Sequence, residues 1–254
     1  MNILRLISRL IDYPTGELQD NWKAMTEMVD SDTSLSDQDK KNLQVFIDER
    51  CSMDILDWQS DYDALFERGR SLSLLLFEHI HGESRDRGQA MIDLIAEYKK
   101  AGLDIGMREL PDYIPLYLEF VATQGAENGQ GWLQDVAHIL ALLKVRLEQR
   151  DCDYSVLFET LVNLSGAPID YNDLATQVKG EKRDDSKEAI DKVWEEEMVT
   201  FGSTAGGPDS DNSMCGSGIN RPAEGQRRDT EVPIQFFDAA EPKGSTASSS
   251  MRGN

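Results

Sequence analysis

The sequence predicts an all-α fold: a single helical-bundle domain over residues 1–201 and a C-terminal tail over 202–254. Three observations carry this. Apolar residues recur at steps of three and four from residue 3 to about residue 200. No alternating apolar stretch is long enough to demand a sheet. After Phe201 the composition turns to Gly, Ser, Pro and Asp, in "GSTAGGPDSDNSMCGSGINRP". Such a segment buries too little apolar surface to offset the roughly 1–2 kcal/mol per residue that backbone ordering costs.

The elements follow in chain order. Ile3, Leu6, Ile7 and Leu10 sit at helical intervals, and Arg5, Arg9 and Asp12 interrupt the run, so it reads as a packing helix, neither a signal peptide nor a membrane span. Tyr62, Leu65, Phe66 and Gly69 fall on one helix face, and the stripe continues through Leu72, Leu76 and Ile80 as one central helix. Gly69 inside it costs about 1 kcal/mol relative to Ala, so something approaches the backbone closely there. Met91, Leu94, Ile95 and Tyr98 share the next face, which Gly102 ends. In "RELPDYIPLYLEF", Pro111 marks a helix first turn and Pro115 sits where first-turn donors lack partners anyway. Ile114, Tyr117, Leu118 and Val121 carry that helix onward. Leu133, Val136, Leu140, Leu143 and Leu147 form a buried stripe, and Tyr154, Leu157, Phe158 and Leu161 repeat it. Ile190, Val193 and Trp194 mark a last helix, with Asp184, Asp185 and Ser186 as candidate caps. In the tail, "EVPIQFFDAA" (231–240) is an apolar island, either a residual patch or a docking element that folds on binding.

Charge bounds the partners. Lys plus Arg number 26 against 47 Asp plus Glu, a net charge of −21, which repels nucleic acid and anionic lipid and suits a neutral or basic partner. Cys51, Cys152 and Cys215 are far apart and form no CxxC pair, as expected of unpaired thiols in a reducing cytoplasm.

Chemical motifs are sparse. His79 and His81 point about 200° apart on a helix and could share a metal only if the chain leaves helix at Ile80. His138 lies on a separate helix and no HExxH occurs, so a helix-terminal or hydrogen-bonding role is the plainer reading. Glu83, Arg85, Asp86 and Arg87 alternate in sign, as a solvated loop with local ion pairs or as a fixed network between helices. No GxSxG, GxGxxG or P-loop is present. "GGPDSDN" lacks the closing Glu of a calcium loop.

Two segments together carry a resemblance. "YDALFERGRSLSLLLFEHIHGESRDRGQAM" followed by "ELPDYIPLYLEF" resembles the nitrate reductase molybdenum-cofactor assembly chaperones, the delta-chain or NarJ type of the TorD-like group. The likeness spans roughly residues 2–200 and includes "VWEEEMVTF" at 193–201. The group's Tyr-x-x-Leu-Phe element is here Tyr62, Leu65 and Phe66, and its Glu-Pro-x-Asp-His-like loop is Glu109, Leu110, Pro111, Asp112 and Tyr113. Leu110 intervenes before the proline, and Tyr113 stands where histidine is usual.

The resemblance implies an all-helical, cytoplasmic, non-catalytic protein with no cofactor of its own, absent from the finished membrane-bound enzyme. It implies that the apo catalytic (alpha) subunit of nitrate reductase, including its N-terminal leader-like segment, is the partner. Cofactor insertion would be supported and membrane docking delayed. A basic amphipathic leader helix would be drawn to a polyanion and lay its apolar face in a groove. Burying about four side chains yields ~6–12 kcal/mol, against an association cost of ~4–15 kcal/mol, so capture is weak and reversible. The expected leader-binding residues are Tyr62, Phe66 and Arg70 with Asp112, Tyr113, Leu116 and Tyr117. Asp112 would receive a basic group, and Glu83, Arg85, Asp86 and Arg87 would shape the adjoining loop. Two other functions stay open: a metal-dependent hydrolase or lyase using His79 and His81, and a general acidic adaptor.

Overall fold

The computed structural model describes residues 2–81, 85–106, 109–181, 183–186, 188–189 and 191–192. The expected disordered tail over 202–254, its island at 231–240, Glu83, Val193 and Trp194 lie outside the described residues, as do the side chains of His81 and Arg85. Among the described residues there are eleven helices and no strand: α1 (Asn2–Ile11), α2 (Gly16–Asp20), α3 (Trp22–Ser31), α4 (Asp37–Ser52), α5 (Ile55–Phe66), α6 (Leu76–His81), α7 (Arg85–Lys100), α8 (Ile114–Thr123), α9 (Ala126–Glu148), α10 (Ser155–Ser165) and α11 (Tyr171–Lys179). None is long and apolar enough to cross a membrane.

Polar side chains set the helix starts. Ser36 accepts the Asp39 amide and donates to the Asp39 carboxylate, which closes the N-terminus of α4 reciprocally. Asp54 and Asp170 accept amides at the starts of α5 and α11.

Helix α1 is the central strut. Ile3, Leu4, Ile7, Leu10 and Ile11 are wholly buried, while Arg5 and Arg9 face out. It packs on α8, α10 and α3, and α9 packs along α10 and α11. The Ser8 hydroxyl donates to the Pro115 carbonyl at 2.7 Å, so even the buried polar atom on α1 is satisfied by α8.

Two helix expectations fail. The run from Tyr62 to Ile80 is not one helix: α5 ends at Phe66, Gly69 takes φ +86°, and helix resumes at Leu76. Leu72, Leu74 and Leu76 are still buried, so the stripe reported burial correctly but not conformation. Ile80, the last residue of the expected stripe, is exposed. Pro111 does not open a helix either. Tyr113 is the N-cap of α8, Pro115 occupies its first turn, and Pro111 lies in the preceding turn. The interrupted stretch instead forms an antiparallel bridge between Leu75 and Tyr113. There the Leu76 amide donates to the Asp112 carbonyl (2.9 Å), and the Ile114 amide donates to the Leu74 carbonyl (2.8 Å).

Candidate functional site

That bridge joins the two segments that stand out in the sequence. On the α5 side, Tyr62 and Phe66 turn inward. Their rings lie 4.9 Å apart, with Tyr154 at 5.2 Å from Phe66 and Tyr13 at 5.4 Å from Tyr62. Both are core residues, 2% and 6% exposed. Tyr117 is also core, and its hydroxyl donates to the Trp132 carbonyl at 2.7 Å. Arg70 is exposed, and its amide donates to Asp184.

Asp112 corrects the expectation placed on it. It is fully buried, and the basic group it receives belongs to this chain: Arg87 Nη2 lies 3.6 Å away. The same Asp112 oxygen, Oδ2, accepts the Phe77 amide at 3.2 Å, in the first turn of α6, and the buried Oδ1 has no hydrogen-bond partner among the described residues. Burial pushes the Asp112 carboxyl above the usual carboxylate range, against the pull of that amide and of Arg87. Arg87 also donates to Glu78 at 3.2 Å. Of the alternating charged stretch, Arg87 is therefore a fixed brace between α6, α7 and the 109–113 turn, whereas Asp86 is exposed.

Tyr113 and Leu116 are half-buried and reach the surface. Tyr113 donates to Asp12 at 2.8 Å, which ties the 109–113 turn to the end of α1. Beside it runs a furrow between α1, α8 and residues 103–105 and 109–113. It holds a cavity of about 480 Å³ lined by Asp12, Leu75, Leu110, Tyr113 and Leu116. A second, of about 500 Å³, is lined by Tyr98, Leu103, Ile105 and Phe120. Arg9, Glu109, Leu116 and Glu119 line both cavities. Arg9 is paired with Glu119 at 3.1 Å, and Asp12, Asp104 and Glu109 outnumber the other cation of the lining, Arg5, so the rim is acidic on balance. Sequence reasoning missed Leu75, Leu103, Ile105 and Leu110. The available signal was Leu110, an apolar residue in the polar turn before Pro111, 44% exposed.

Among the described residues, which include the His79 side chain but not that of His81, no group of three potential metal ligands converges. His79 Nε2 bonds the Ser73 carbonyl at 2.8 Å, and Arg146 Nη1 approaches Nδ1 at 3.4 Å. A carbonyl on one nitrogen and a cation on the other fix a neutral ring with its proton on Nε2. Burial lowers the His79 pKa, Arg146 adds to that, and Glu78 and Glu181 oppose it. The unfolded chain accepts the proton near pH 6.5 and the folded chain only below that. Stability present above pH 6.5 is therefore lost on acidification toward the folded value. Urea melts of wild type and His79→Gln between pH 7 and 5 will show the steeper loss in wild type; parallel curves would exclude His79 as the source.

Comparison with known proteins follows the same segments. The sequence profile described as "Nitrate reductase delta subunit" matches residues 30–159. The chain is 46% identical over 207 residues to "Nitrate reductase molybdenum cofactor assembly chaperone NarJ" of Escherichia coli (strain K12), covering 82% of this chain and 88% of that one. It is 44% identical over 201 residues to "Probable nitrate reductase molybdenum cofactor assembly chaperone NarW" of the same strain, covering 79% and 84%. It is 27% identical over 159 residues to "Probable nitrate reductase molybdenum cofactor assembly chaperone NarJ" of Bacillus subtilis (strain 168), covering 61% and 84%.

Proposed function

Because this chain belongs to the nitrate reductase delta subunit family, we propose that it is an assembly chaperone that holds the apo catalytic subunit of nitrate reductase while its molybdenum cofactor is inserted, grips that subunit by its N-terminal segment, and delays membrane docking until then. The cofactor is cargo of the partner, and this chain performs no bond-making step. The observation that supports the reading is the acid-rimmed apolar furrow over α8. A basic amphipathic helix matches it on both counts: its apolar side meets Leu75, Leu110, Tyr113 and Leu116, and its basic side meets Asp12, Asp104 and Glu109. Within the residues expected to bind, this assigns direct contact to Tyr113 and Leu116. Tyr62, Phe66, Asp112 and Tyr117 act from beneath, by holding the furrow's floor.

The test is titration calorimetry of the catalytic subunit's N-terminal peptide into the full-length chain. Leu116→Asp places a charge in the shared floor of both cavities and should weaken binding at least about tenfold, the loss of roughly one apolar anchor. Leu56→Asp, at an exposed site on α5 that lines neither cavity, should bind as wild type does. Equal affinity of wild type and folded Leu116→Asp would refute the furrow as the binding surface.

A further inference from the structure

The turn that interrupts the expected long helix is built around an anion. Gly69 has φ +86°, which directs the next two amides to one side, the geometry of an anion-binding nest. The Arg70 and Ser71 amides donate to Asp184 Oδ2 at 2.6 and 2.7 Å, and the Ser71 hydroxyl donates to Oδ1 at 2.6 Å. Arg150 Nη2 approaches the same Oδ1 at 3.3 Å. A Cβ on residue 69 would sit 2.6 Å from the Asp184 carboxyl carbon, so the glycine is required by the occupant as well as by φ. Burial alone would raise the Asp184 carboxyl, but the Ser71 hydroxyl and the two amides outweigh it and hold the group below its ordinary range.

The occupant is a side chain on a short acidic strap that follows α11. Glu181 makes a two-pronged pair with Arg146 (2.8 and 2.7 Å), and Arg146 also donates to the Ser71 carbonyl. Asp185 lies 3.4 Å from Arg150 Nη1 and is forked by Arg183. The Arg150 side chain is 8% exposed, yet its Nη1 has no hydrogen-bond partner. This buried cationic donor is held only by its ion pair with Asp185. A cavity of about 80 Å³ lies beside it, lined by Ser71, Arg146, Arg150 and Glu181.

We propose that the Gly69–Ser71 turn, with Arg146 and Arg150, is an oxyanion-binding site that the chain keeps closed with its own Asp184, and that a ligand bearing a phosphate or carboxylate group enters when the strap lifts. Two amides and a hydroxyl hold Asp184, Arg146 is held by Glu181, and Arg150 is shared by Asp184, Asp185 and the Ser71 hydroxyl, so three carboxylates of one strap occupy the whole donor set. Lifting the strap removes Glu181, Asp184 and Asp185 together and so frees both arginines at once. The site is separate from the furrow over α8 and does not depend on the function proposed for it.

The test is amide NMR of the full-length chain titrated with inorganic phosphate, and separately with acetate, at constant ionic strength held by chloride. The tethered carboxylate competes at an effective concentration in roughly the millimolar range. Asp184→Ala should therefore saturate at least about tenfold below wild type, with the Arg70 and Ser71 amides shifting, and Asp184→Ala/Arg150→Ala should lose the gain. Preference for phosphate or for acetate then identifies the ligand's group. No gain in Asp184→Ala, or a gain that survives loss of Arg150, would overturn the site. Should Asp184→Ala not fold, hydrogen exchange on wild type decides: phosphate must speed exchange at residues 183–186 relative to chloride, and equal rates overturn it.

Discussion

Tyr62→Ala is expected to lose about 3–5 kcal/mol of folding stability, the range for truncating a fully packed aromatic ring. The ring is 2% exposed and contacts Tyr13, Phe66 and Tyr154, so nothing nearby can fill the space without leaving its own partners. With a urea slope of about 1–3 kcal/mol per molar, the midpoint should fall by about 1–5 M. Tyr62→Phe keeps the packing and removes only the hydroxyl, a loss of no more than about 0.5–1.5 kcal/mol. A Tyr62→Ala loss below about 1 kcal/mol would mean the ring is not packed as described. The same reasoning applies to Tyr117: its alanine variant removes a core ring, and weakened partner binding in that variant would report damage from below.

Arg50→Ala should be nearly as costly. Arg50 is 7% exposed and donates through Nε to Asp153 at 2.6 Å, through Nη2 to the other Asp153 oxygen, and through Nη1 to Asp61 at 2.9 Å. Its guanidinium also lies 5.0 Å from the centre of the Tyr154 ring. One side chain on α4 thereby holds α5 and the turn before α10. Removing one partner of a fully buried pair costs about 3–5 kcal/mol, and Asp153 keeps some access to water, so about 2–3 kcal/mol is expected. Lysine should recover less than half of this, because an ammonium cannot make the fork and the ring contact together. Asp61→Asn, on the exposed arm, should cost no more than about 1 kcal/mol. Denaturant melts of the three variants check the order Ala, Lys, Asn; an Asp61→Asn loss as large as that of Arg50→Ala would contradict it.

Much of the fold was legible because helical periodicity is local. The stripes at Ile3–Leu10, Leu133–Leu147 and Leu157–Leu161 each became a buried helix face. The break after Phe66 was not legible for the opposite reason. Leu72, Leu74 and Leu76 are as apolar as a helix stripe, and what keeps Leu74 and Leu75 out of helix is the bridge to the backbone of Asp112, Tyr113 and Ile114, some forty residues on. Gly69 was the one local hint, and its neighbour proved to be Asp184, more than a hundred residues away. The site was partly legible: the two flagged segments do meet, at Leu75 and Tyr113. Which side of each faces a partner was not. Aromatic residues suit a core and a binding groove equally, and burial of Tyr62, Phe66 and Tyr117 depends on Tyr154 and Trp132, which only the tertiary fold supplies. Asp112 misled in the same way, since an acidic residue before a helix looks solvent-facing until Arg87 arrives from another helix.

The position of α1 has a consequence for the order of events at the ribosome. This helix is synthesised long before the elements it packs on, α8 and α10, and Ser8 bonds Pro115. Its oily face therefore waits until residue 165 has been synthesised. At about 5–20 residues per second that wait is roughly 10–30 s. Through that interval the nascent chain exposes one whole apolar helix face, and a member of an assembly-chaperone family would itself emerge in need of shelter.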